Sequence, residues 1–129
     1  MPQPAARMND PVTGTDLHGI IPPSGGPPVP TPHPYAGKIT TGCVNSVLIN
    51  GQPAAVQGSG SMLNSPHIPQ GGSFAVPPTG QGTVMAGSMT VLVGGSPLAR
   101  VGDQVQTCND PAPAPTSSIT GGSQDVMVG

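Results

Sequence analysis

A chain of 129 residues suffices for one compact domain and is too short for two ordinary ones. Only 6% of it is charged, with a formal net charge of −2, so it has no basic surface to neutralise phosphates, which argues against nucleic-acid binding. Gly and Pro fill 39 positions, a level at which an aperiodic chain is usually disordered, and with Tyr35 and Phe74 as the only Phe, Tyr or Trp residues large side chains cannot supply the core.

The chain begins MPQPAARMND, without the basic and apolar regions of a secretory signal, and no run approaches the roughly 18–20 apolar residues of a membrane span. The expectation is synthesis in the cytoplasm and, if the chain leaves, export by another route. In that compartment Cys43 and Cys108 read as free thiols or metal ligands rather than a disulfide.

Internal repetition rescues the sequence from disorder. Pro4-Ala5-Ala6-Arg7 opens the chain. The Pro-rich stretch from Pro22 to Pro34 reads as an extended connector. From Ile39 to Ala55 the sequence ITTGCVNSVLINGQPAA predicts a short apolar strand, Val47 to Ile49, a Gly-containing turn and a Pro-x-Ala step. From Val84 to Ala99, VMAGSMTVLVGGSPLA repeats the same order with its strand at Val91 to Val93. Pro111 to Thr116 is a second Pro-rich connector, and SQDVMVG closes the chain with a third strand, Val126 to Gly129. The missing half of that third copy is the N-terminal PAAR segment, so residues 1–129 are expected to form a single domain of three repeats, the third split between the termini. No stretch has helical periodicity, and the expected class is all-β. Arg7 and Arg100 are each followed by an acid, Asp10 and Asp103, which read as solvated turn residues; the middle copy, VQGS, lacks both.

His18 lies 14 residues after Pro4, His67 lies 14 after Pro53, and Cys108 lies 11 after Pro97. Each repeat therefore carries one metal-ligating side chain at a nearly equivalent place, and a three-fold arrangement converges them on the axis. His33 is the one histidine left and is read as the fourth ligand. Three imidazoles and a thiolate with no open position describe a structural zinc site; the donor set favours zinc and leaves iron open. Such a site contributes on the order of 10–16 kcal/mol, enough to fold a chain poor in aromatic residues. Cys43 matches Ser88 of the next repeat and reads as a small buried residue. The competing enzyme reading, a zinc hydrolase with an open position, lacks an HExxH motif, and the acids next to the proposed ligands, Asp16, Asp110 and their like, are taken as loop residues. No serine or cysteine sits in a recognisable nucleophile elbow.

PAAR at Pro4 to Arg7, its variants PAAV and PLAR, the phrases SVLINGQPAA and TVLVGGSPLAR, and PVPTPHPYAGKITTG together resemble the PAAR-repeat family of spike-tip proteins over nearly the whole chain. The resemblance implies a short-stranded, pseudo-three-fold β-cone whose vertex holds zinc on His18, His33, His67 and Cys108. It further implies that the base caps a trimeric VgrG-like spike protein, one tip per trimer, in a contractile injection system: type VI secretion, a phage tail or an extracellular particle. Such a tip is not an enzyme; it sharpens the spike for membrane puncture, is delivered outside the cell or into a target cell without a stable membrane anchor, and can carry effector cargo. The middle repeat departs from the family pattern where VQGSGSMLNSPH replaces an Arg-x-Gly-Asp sequence.

Overall fold

The computed structural model describes residues 2–128, and among them it has no helix and is 52% strand. Gly129, which the repeat alignment includes in the last strand, lies outside the described residues. In chain order the strands are β1 (Gln3–Pro4), β2 (Pro11–Ile21), β3 (Val29–Thr41), β4 (Val44–Ile49), β5 (Gln52–Ala54), β6 (Gly60–Leu63), β7 (Ser73–Phe74), β8 (Gln81–Val84), β9 (Leu92–Val93), β10 (Ser96–Pro97), β11 (Gln104–Thr107), β12 (Ala114–Ile119) and β13 (Met127–Val128).

Each repeat builds one small antiparallel hairpin, and the three share a register. Leu48 faces Pro53, Leu92 faces Pro97 and Met127 faces Pro4; Ile49, Val93 and Val128 face Gln52, Ser96 and Gln3. The third hairpin is β1 with β13, so the two ends of the chain lie side by side.

The Pro-x-Ala segments then link cyclically. Ala6 N donates to Ala99 O (2.9 Å), Ala55 N to Ala6 O (3.0 Å) and Ala99 N to Ala55 O (2.9 Å), and all three alanines are fully buried. Successive residues of an extended segment face opposite ways, and the packing follows that period. Ala5, Ala54 and Leu98 join the cluster under the hairpins with Ile49, Val93 and Val128. Ala6, Ala55 and Ala99 join the second cluster with Val12, Ile39, Val84 and Ile119. The ring is thus a floor between two cores.

After each Pro-x-Ala segment the chain turns through a left-handed residue, Asn9 (φ 76°), Gly58 (φ 96°) and Gly102 (φ 95°), a conformation that Gly and Asn tolerate. A strand pair rises from each turn: β2 with β3, β6 with β8, and β11 with β12. These six strands form one antiparallel sheet, closed by β12 pairing with β2 into a cone-like barrel.

Two expectations need correction. The Pro-rich stretches read as connectors end inside strands: β3 starts at Val29 and β12 at Ala114. Pro30, Pro32 and Pro34 alternate along β3, so they share one edge. The edge away from β2 carries no ladder partner before Gly37, which is where prolines belong in a sheet. Second, Asp10 and Asp103 are not solvated: they are 6% and 7% exposed and bind Arg7 and Arg100 through NH2 at 2.8 and 2.9 Å. Each also accepts from the backbone N of its arginine at 2.7 Å. The middle repeat makes the equivalent bond with Ser59, whose Oγ accepts from Val56 N at 2.9 Å.

Candidate metal centre

The barrel strands carry their donors away from the alanine ring. On β2, alternate residues Val12, Asp16, His18 and Ile20 are buried and the residues between them are more exposed. On β3, His33 and Tyr35 are buried in the same alternation, and His33 stands directly across from Asp16. His67 lies in the connection between β6 and β8, and Cys108 follows the last residue of β11. Asp16 lies six residues beyond Asp10 in the chain. At about 3.3 Å per residue, that length of β2 separates the donors from the turn by roughly 20 Å.

There the donors converge. One ligand atom each from Asp16, His18, His67 and Cys108 lies within 4.8 Å of all the others. His67 Nε2 is 3.0 Å from Asp16 Oδ2, Cys108 Sγ is 3.4 Å from the same oxygen, and Cys108 Sγ is 3.8 Å from His18 Nε2. The three imidazole rings form a near-regular triangle, with centroids 4.9 Å apart for His18 and His67, 5.5 Å for His18 and His33, and 5.6 Å for His33 and His67. Rings bound through nitrogen at about 2.0–2.1 Å to one tetrahedral ion have centroids roughly 5 Å apart, so this triangle is of the size a shared metal sets. Phe74 covers it, its ring 5.7 Å from that of His18 and 5.4 Å from that of His33.

The buried polar atoms also fit a metal. His33 Nδ1 donates to Thr31 O at 2.9 Å, which leaves the lone pair on Nε2, and that buried Nε2 has no hydrogen-bond partner among the described residues. An outer hydrogen bond that fixes the tautomer and turns the other nitrogen inward is the usual support of a metal-bound histidine. Burial, and then the neighbouring His67, lowers the pKa of His18, with Asp110 and Asp16 opposing, which favours the neutral imidazole a metal requires. The Cys108 thiol is pushed up to about 11, first by burial and then by Asp16; without an ion it stays protonated at neutral pH.

Of the residues predicted from sequence, His18, His67 and Cys108 meet in one cluster, with the His33 ring against it. Asp16, which the sequence reads as a loop residue, is instead a fully buried strand residue. Its signal is the two-residue spacing to His18, which puts both side chains on one face of a strand. Cys43 is half-buried, not fully buried, and lies outside the cluster, with its Sγ 3.9 Å from Thr41 O.

A closed antiparallel barrel that stands on a pseudo-three-fold base and gathers imidazoles and a thiol at its far end defines a small structural, metal-capable cone. The family model described as PAAR motif matches residues 75–129, the C-terminal 55 of the 129 residues. This motif supports a spike-tip-like protein of contractile injection systems. No curated protein matches the sequence.

Proposed function

We propose that this chain is the tip of a trimeric VgrG-like spike, one copy per trimer, with a zinc ion on His18, His33, His67 and Cys108 holding the apex together. The observation that carries the reading is the three-fold base. Its hairpins present Leu48, Leu92 and Met127 at 60%, 63% and 54% exposure, each beside a valine, Val47, Val91 and Val126, at 37%. A pseudo-three-fold apolar face is complementary to a three-fold partner in one closed arrangement. The metal would cross-link the three strand pairs beyond the apolar core they share nearer the base, and the Thr31 carbonyl holds the His33 imidazole in the tautomer that binds it. The chain is made in the cytoplasm, assembled on the spike and delivered with it, with effector cargo attached to its outer surface.

The test is binding of the trimeric spike protein of the same machine. Burying the remaining exposed part of one Leu or Met contributes about 1–2 kcal/mol. Leu48→Asp, Leu92→Asp and Met127→Asp combined should therefore weaken binding by at least about 100-fold while zinc content stays at one equivalent. Unchanged binding, or a stoichiometry other than one tip per three spike chains, refutes the capping role.

A further inference from the structure

Asp16 carries the fully buried charge at the centre that the proposed ligand set leaves without a role; Asp110, 3.7 Å from His18 Nδ1, is partly exposed. The two oxygens of Asp16 have different surroundings. Oδ1 accepts from Thr107 Oγ1, from Thr116 Oγ1 at 3.2 Å and from Asn109 Nδ2 at 3.4 Å. Oδ2 faces only metal-ligating groups: His67 Nε2 at 3.0 Å, Cys108 Sγ at 3.4 Å and His18 Nε2 at 4.0 Å. The cations of the chain are engaged elsewhere. Arg7 and Arg100 pair with Asp10 and Asp103, and Lys38 is exposed on the outer side of β3.

We infer that Asp16 is itself a donor to the metal, through Oδ2, so that the centre has five candidate donors rather than a closed set of four. The inference rests on the metal reading above and follows from hydrogen-bond accounting. With the ion on Cys108 Sγ and on His67 Nε2, the two atoms nearest to Oδ2, neither of them donates to that oxygen. Among the described residues nothing else is placed to do so, and a buried carboxylate oxygen left without a partner is costly. The ion is the partner that remains. Charge agrees, because one thiolate and one carboxylate balance a divalent cation in a buried site. The spacings of Oδ2 to His67 Nε2 and Cys108 Sγ, 3.0 and 3.4 Å, are close to the edges of a polyhedron with bonds of about 2.0–2.3 Å, and His18 Nε2, at 4.0 Å, is the donor that has to move closer.

The full chain loaded with cobalt(II) in place of zinc reports the donor set by absorption. Asp16→Asn should keep the thiolate-to-cobalt charge-transfer band, change the ligand-field bands, and weaken zinc binding by more than the roughly 10–100-fold that an outer-shell partner is worth. Ligand-field bands identical to wild type overturn the inference. A crystal structure of the zinc-loaded wild-type chain decides the same point without a substitution. Oδ2 about 2.0–2.2 Å from the ion supports it, and a carboxylate held only at hydrogen-bonding distance from a ligand, about 2.7–3.2 Å, overturns it. A wild-type chain that binds no metal overturns the metal reading and this inference together, whereas bound metal with Asp16 outside its shell overturns this inference alone.

Discussion

The turn after each Pro-x-Ala segment contains a side-chain cap, joined in two of the three repeats by an ion pair, and the middle repeat separates the two. Asp103 accepts from Arg100 N at 2.7 Å and also binds the guanidinium at 2.9 Å; Ser59 makes only the backbone bond, at 2.9 Å to Val56 N. If the cap stabilises the turn, Asp103→Ala costs about 1–3 kcal/mol for the unsatisfied N–H plus about 0–1 kcal/mol for the partly exposed pair. Asp103→Ser, which copies the middle repeat, keeps an acceptor and costs only about 0–1 kcal/mol, as does Arg100→Ala. Ser59→Ala should cost about 1–3 kcal/mol, since its Oγ also donates to Gly42 O at 3.1 Å. Urea denaturation of the zinc-loaded variants measures this. At a slope of about 2 kcal/mol/M, a loss of about 2 kcal/mol moves the midpoint by about 1 M. Arg100→Ala as damaging as Asp103→Ala, or Asp103→Ser no better than Asp103→Ala, would show that the ion pair dominates and refute the argument.

Three further outcomes are expected. A Cβ at Gly87 would sit 2.7 Å from Pro97 O and 2.8 Å from Pro97 Cβ, so Gly87→Ala should destabilise by about 1–3 kcal/mol, read as a fall in thermal midpoint of several degrees. His67→Ala and Cys108→Ala should each abolish stoichiometric zinc in elemental analysis, whereas Cys43→Ala should retain it. In the metal-free chain, Cys108 rises from 9.0 to about 11 and Tyr35 from 10.0 to about 12, both chiefly by burial. Both groups are neutral when protonated, so their contribution is complete below about pH 9 and is lost as pH rises through about 11 and 12. His18 is shifted downward from 6.5, so its contribution is present above that value and lost as pH falls. Urea midpoints against pH should therefore show a plateau between these limits, and bound zinc should remove the part of the alkaline loss that comes from Cys108.

The class of fold and much of the site are legible in the sequence because repetition is a one-dimensional property. Equal spacing from Pro4 to His18 and from Pro53 to His67, and the matching strands before Pro53 and Pro97, can be read without coordinates. The barrel strands cannot be read in this way. Their inner faces mix Val12, Asp16, His18 and Tyr35 with glycines, so no apolar alternation marks them, and the prolines of β3 look like a connector until the unpartnered edge is known. The role of Asp16 is hidden for the same reason: its partners Thr107, Thr116 and Cys108 are about 90–100 residues away in sequence. Local composition and repeat spacing determined the β class, the three-fold plan and three of the four side chains that cluster, His18, His67 and Cys108. Only closure of the sheet, β12 onto β2, decided which side chains share the buried interior, because burial and charge balance depend on contacts between distant segments.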